Sequence, residues 1–118
     1  EIRQSILSIK QLYEGRRIKA IFQPHLYSRT KDFYQEFADA LSLLDDVVLL
    51  DIYPAREEPI PGVTSQLIYD NLRPGISKHM CQKQDILDYV KAKDFDVLVT
   101  LGAGDIENYA EEITEILN

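Results

Sequence analysis

The stretch "VVLLDIY", Val47 to Tyr53, decides the fold. It is a run of valine, leucine and isoleucine broken only by Asp51 before it ends on a tyrosine. A strand with one wet face alternates apolar and polar residues. A continuous apolar run instead buries both faces, as strands of parallel sheets do. "IKAIF", residues 18–22, and "DVLVTLG", residues 96–102, read the same way, and "ISKHM", residues 76–80, is a weaker strand candidate.

Helical spacing fills the intervals between these strands. Ile2, Ile6, Ile9 and Leu12 or Tyr13 form one stripe, which Gly15 ends because glycine tolerates left-handed geometry. A second helix is expected from Thr30-Lys31-Asp32-Phe33, with Phe33, Phe37, Ala40, Leu41 and Leu44 on its apolar side and Asp32 near its positive N-terminal end. "PAREEPIPG", residues 54–62, is a loop stiffened by three prolines. Thr64 and Ser65 can cap a helix carrying Leu67, Ile68 and Leu72. A further helix covers residues 85–90 and starts slightly earlier. The last places Ile106, Tyr109, Ala110, Ile113, Ile116 and Leu117 on one side. Such alternation implies right-handed crossovers. The predicted fold class is therefore α/β: a Rossmann-like three-layer sandwich, a mostly parallel sheet with helices on both faces, in a single domain over residues 1–118.

Composition narrows the function. Hydrophobic residues make up 45% of the 118 and charged residues 28%, ordinary values for a globular domain. The net charge of −7 repels phosphate backbones and argues against nucleic acid as a partner. An anionic ligand would need a local cation, so each loop arginine matters. No apolar run approaches the roughly 18 residues of a membrane span. The single cysteine, Cys81, excludes an internal disulfide and a CxxC metal knuckle and is expected to be a packing residue. A chain without disulfides fits a cytoplasmic setting by default.

In open parallel sheets, ligands bind beyond the carboxyl ends of the strands. The first strand delivers Gln23, His25, Tyr27 and Arg29 to that edge. The second delivers Asp51, Tyr53, Arg56 and Glu57, and the last delivers Gly102, Gly104 and Asp105. Parallel strands would place all three groups on one rim. His25 can bind a ligand or transfer a proton, or it can fix its own backbone. Arg29 can clamp a carboxylate through two hydrogen bonds, or pair with Asp32. Asp51 can order a histidine, a water or a magnesium shell, or cap the turn before Pro54. Glu57 and Glu58 read as a solvated loop pair, or one of them can face the rim. "GAGD", residues 102–105, is a weak nucleotide loop: the sixth position of GxGxxG is Glu107, and Asp105 would occupy the helix N-terminus a phosphate needs. No GxxxxGK[ST], HExxH or GxSxG is present, and no metal site is suggested.

"FQPHLYSRT", "DIYPAREEPIPGV" and "TLGAGDI", in this order, resemble the C-terminal domain of the Mur ligases of peptidoglycan synthesis. The resemblance covers essentially the whole chain. It implies a three-domain enzyme whose UDP-sugar-binding and ATPase domains precede this one and are absent from it. It implies ATP and magnesium, held mainly by the ATPase domain, and the joining of L-alanine to UDP-N-acetylmuramate through an acyl phosphate. This domain would close over the ATPase domain and help to hold the amino acid and the nucleotide. No catalytic residue is assigned to it, and alone it is expected to be inactive. Arg29 matches a family arginine associated with the substrate carboxylate. Leu26 stands where many relatives have a second arginine. His25, Tyr27, Asp51 and Tyr53 are the other implied substrate-binding residues, and Gly104 and Asp105 the implied cofactor-binding pair. The family's "AHHPTE" motif would lie just before or overlap Glu1. The alternative is a stand-alone Rossmann-like module for a small ligand, or a receiver-type domain. A receiver wants clustered acids after its first strand, where this chain has Gln23 and His25.

Overall fold

The computed structural model describes residues 2–102 together with residues 113 and 115. Four strands form one parallel sheet in the order β3-β2-β1-β4: β1 is Ile18–Gln23, β2 Asp46–Leu49, β3 Ser77–Met80 and β4 Val97–Gly102. Helices α1 (Ile2–Leu12), α2 (Tyr27–Leu41), α3 (Gln66–Asp70) and α4 (Ile86–Lys91) connect or flank the strands. A 3-10 turn at Lys83–Asp85 leads into α4, which accounts for the early start expected there.

Both faces of the sheet are covered, so the apolar runs of β1 and β2 are wholly buried. On one face Ile18, Ala20, Phe22, Val47 and Leu49 pack with Ile6 of α1, Ala38 and Leu41 of α2 and Ile68 of α3. On the other, Ile21, Val48 and Leu50 pack with Ile86 and Val90 of α4 and with Ile113. The three-layer α/β architecture expected from the sequence is thus present. Gly15 follows α1 with φ +79°, the left-handed geometry expected of it.

Three expectations need correction. First, α2 begins at Tyr27, one turn before Thr30, so Asp32 sits in its second turn. The cause is a cap from far along the chain: Glu57 accepts hydrogen bonds from the Ser28 amide at 3.0 Å and from the Ser28 hydroxyl at 2.5 Å. Second, β2 stops at Leu49 instead of reaching Tyr53. Leu50 still donates to the Phe22 carbonyl, but the Ser65 hydroxyl occupies the Leu50 carbonyl, and pairing resumes only as a bridge between His25 and Tyr53. Third, of the expected apolar side Ala40, Leu41 and Leu44 are buried and Phe37 packs against the core, but Phe33 is 45% exposed, and Thr30 and Ala38 complete the buried side of α2. At the start of α3 the N-cap Ser65 makes no side-chain cap, since its hydroxyl donates to the Leu50 carbonyl, and Thr64 Oγ1 just before it accepts from the Gln66 amide at 3.1 Å.

One buried feature is polar. Lys19 and Asp46 are register partners on β1 and β2, 1% and 0% exposed, with Lys19 Nζ 3.5 Å from Asp46 Oδ2. Lys19 also pairs closely with Asp94 and donates to the Tyr89 carbonyl at 3.3 Å. Arg17 approaches Asp46 at 3.8 Å. This network lies at the end of the sheet opposite the rim described next.

Candidate functional site

The rim beyond the carboxyl ends of β1 and β4 is built by two zipped segments. Leu26 N–H donates to the Tyr53 carbonyl at 2.9 Å, and Tyr53 N–H donates to the Pro24 carbonyl at 2.8 Å. The rings of His25 and Tyr53 stack with centroids 5.8 Å apart and planes 17° off parallel. The backbone around His25 is therefore held by Tyr53, not by its own imidazole. Among the described residues the imidazole makes no hydrogen bond. Leu26 takes φ 72°, a conformation uncommon for a leucine, and the chain swings through it into α2.

Arg29 falls in the first turn of α2, its guanidinium 5.8 Å from the centre of the Phe33 ring one turn further on. This cation–π contact keeps Phe33 at the surface. The expected alternative, a pair with Asp32, is not formed: among the described residues Arg29 has no ion pair. Arg29, His25, Gln23, Phe37 and Gly102 line a cleft of about 290 Å³, floored by Phe22 and walled by Ile2 of α1. Its volume is at the small-metabolite end of ligand pockets. A more apolar groove of about 540 Å³ continues from Arg29 along Phe33 and Phe37 towards Arg3.

Gly102 forms the far wall of the cleft. It pairs in register with Gln23 and has φ +105°, and a Cβ there would collide with the Gln23 carbonyl oxygen. Only glycine allows β4 to leave the sheet so close to β1.

The single rim expected from the sequence divides in two. The Asp51 backbone carbonyl accepts from the Gln23 side-chain Nε2 at 3.4 Å, but Asp51 lines a separate depression of about 430 Å³ on the α4 side, with Cys81, Asp85, Asp88 and Tyr89. Burial first, then the charges of Asp85 and Asp51, pushes the Cys81 thiol up to about 11, which fits a packing residue and not a nucleophile. Tyr27 and Arg56 do not line the cleft. Gly104 and Asp105 lie outside the described residues. Among the described residues no three metal-ligating side chains converge, and no helix is long and apolar enough to cross a membrane.

Glu57 is the residue that the sequence reading misplaced. It faces α2 and is held below the usual carboxylate range by the Ser28 hydroxyl and then the Ser28 amide. No local pattern announces it, because its partner is 29 positions away.

A parallel four-stranded sheet covered on both faces, with a small cleft past the carboxyl ends of β1 and β4, defines a Rossmann-like domain. No family model matches the chain. Along its whole length it is homologous to UDP-N-acetylmuramate–L-alanine ligases. It is 65% identical to that of Phocaeicola vulgatus over 100% of this chain and 26% of the relative. The ligase of Parabacteroides distasonis is 56% identical over 99% of this chain and 25% of the relative. That of Porphyromonas gingivalis strain W83 is 52% identical over 99% and 26%. The chain thus spans about a quarter of the length of the curated relatives it matches.

Proposed function

We propose that this chain is the C-terminal domain of an ATP-dependent ligase that joins L-alanine to UDP-N-acetylmuramate in peptidoglycan synthesis, and that it supplies the clamp for the amino-acid carboxylate. The observation that carries the reading is the 65% identity over every residue of the chain to a protein of that name. The cleft supports it. Arg29 presents a planar fork of donors matched to a carboxylate, among the described residues it has no acid of its own, and the cleft suits a molecule of few atoms.

ATP and magnesium fit the described residues poorly. The chain has no phosphate loop, the N-terminus of α2 is already taken by the Glu57 carboxylate, and no cluster of metal ligands forms among the described residues. Both would be held mainly by the remainder of the polypeptide, where they would supply the activation of the sugar carboxyl. The part left to this chain is binding and exclusion. Arg29 fixes the L-alanine carboxylate, His25 offers a second donor from its stack on Tyr53, and closure of the rim keeps water from an activated acyl group that would hydrolyse. The reaction would take place in the cytoplasm.

A hybrid ligase tests this. The matching segment of the Phocaeicola vulgatus ligase is replaced by this chain, and ADP release is followed with UDP-N-acetylmuramate and L-alanine. The hybrid should ligate, and the chain by itself should not. A folded hybrid without activity would overturn the proposal.

A further inference from the structure

We infer that Glu57 is a positioning residue for the Arg29 clamp, acting by capping α2 from the loop after β2. The inference rests on the carboxylate-clamp reading and extends it to a residue that does not touch the cleft.

Helix α2 starts without a local cap. Its N-cap residue, Leu26, has no side-chain acceptor. The first-turn amides of a helix point outward with no partner inside it, and they are normally satisfied by serine, threonine, aspartate or asparagine at that position. Here Glu57 supplies the acceptor from the other segment of the rim. One carboxylate oxygen takes the Ser28 amide at 3.0 Å, and the other takes the Ser28 hydroxyl at 2.5 Å. A tight turn brings Glu57 back onto α2: Glu57 N–H donates to the Pro54 carbonyl at 2.9 Å, and Ala55 adopts φ 53°.

Arg29 is the next residue after Ser28. Its direction into the cleft is set by the first turn of α2 and by the Phe33 ring at 5.8 Å. The bridge between His25 and Tyr53 fixes the chain before that turn, and Glu57 fixes the turn itself. Without Glu57 the Ser28 amide and hydroxyl lose their acceptor, the turn frays, and the Arg29 guanidinium loses its fixed origin. The carboxylate has a second consequence. It fills the positive end of α2, so an anion entering the cleft meets the Arg29 side chain and not the helix amides. The site then favours a group that matches a guanidinium fork over a phosphate seated on a helix end.

The experiment uses the hybrid ligase with Glu57→Ala, Glu57→Gln and Ser28→Ala, each alone and combined with Arg29→Ala. A misplacement of 1 Å can cost about a hundredfold, so Glu57→Ala should raise the KM for L-alanine about tenfold while the KM for ATP holds. Glu57→Gln keeps one acceptor for the Ser28 amide and should recover most of the loss. In the Arg29→Ala background, Glu57→Ala should add less than about twofold, because residues acting through one group are not additive. A purely structural role would lower activity equally in both backgrounds, and that result would overturn the inference. If Glu57→Ala does not fold, Ser28→Ala removes only the hydroxyl donor and must show a smaller rise with the same dependence on Arg29. Arg29→Ala leaving the L-alanine KM unchanged would sink the clamp reading itself. Arg29→Ala raising it while Glu57→Ala does nothing would sink only the positioning role.

Discussion

Replacing Lys19 with methionine should unfold this domain at a much lower temperature, and replacing Asp46 as well should restore it. Lys19 and Asp46 face each other across β1 and β2, both essentially without solvent. No hydrogen bond reaches either carboxylate oxygen of Asp46 among the described residues, so its charge is balanced by Lys19 at 3.5 Å and by Arg17 at 3.8 Å. Methionine matches the lysine stem in length but leaves Asp46 with only Arg17, a side chain that is 47% exposed. Breaking a buried pair from one side costs about 3–5 kcal/mol, and the remaining arginine puts the expected loss near the lower figure. For a domain of this size that is a fall in Tm of about 10–15 °C. Lys19→Met/Asp46→Leu removes both charges, and apolar replacements of a buried pair are often neutral, so its stability should return to within about 1 kcal/mol of the parent. Asp94 then loses its lysine, but it is largely exposed and can be solvated. Urea unfolding of the parent, Lys19→Met, Asp46→Leu and the double variant, followed by circular dichroism, gives the cycle. A single Lys19→Met variant within about 1 kcal/mol of the parent, or a double variant as weak as the single, would refute the reasoning.

Gly102→Ala should be costly at a position that looks like an ordinary strand end. Its φ of +105° and the collision with the Gln23 carbonyl combine backbone strain of about 1–3 kcal/mol with a forced shift of β4, so unfolding should fall by at least about 2 kcal/mol and the cleft should open. An unchanged urea midpoint would contradict the close approach of β4 to β1. Cys81, with its thiol pushed up to about 11, should react with iodoacetamide at pH 8 about a hundredfold more slowly in the native chain than in the unfolded one. Equal rates would show the thiol to be solvated and not packed.

The strands were legible because burial on both faces leaves an unbroken apolar mark, and "VVLL" carries it regardless of what surrounds it. Even "ISKHM" was readable as a strand, though β3 is a partly wet edge paired on one side. What escaped was set by residues distant in sequence. The start of α2 was misread because its cap is Glu57, and Leu26 carries no capping signal. Phe33 follows the apolar spacing but is drawn to the surface by the guanidinium of Arg29. The end of β2 was overrun because Asp51, Ile52 and Tyr53 keep a strand-like composition while the Ser65 hydroxyl takes the carbonyl of Leu50. The division of the rim could not be seen either. Parallel topology predicts which edge a residue reaches, but not which side of the sheet its loop then takes. Arg29 and His25 turned towards α1 and α2, and Asp51 towards α4. Lys19 was hidden in a run read as nearly all apolar, and its partners were identifiable only from the register.

The most direct test of the central claim is L-alanine saturation of the hybrid ligase with and without Arg29→Ala. Loss of a charge-assisted pair of hydrogen bonds amounts to about 1.5–3 kcal/mol, so the KM for L-alanine should rise by roughly ten- to a hundredfold while the KM for ATP changes little. An unchanged KM for L-alanine in the folded, active Arg29→Ala hybrid would contradict the account and remove this rim from the amino-acid site.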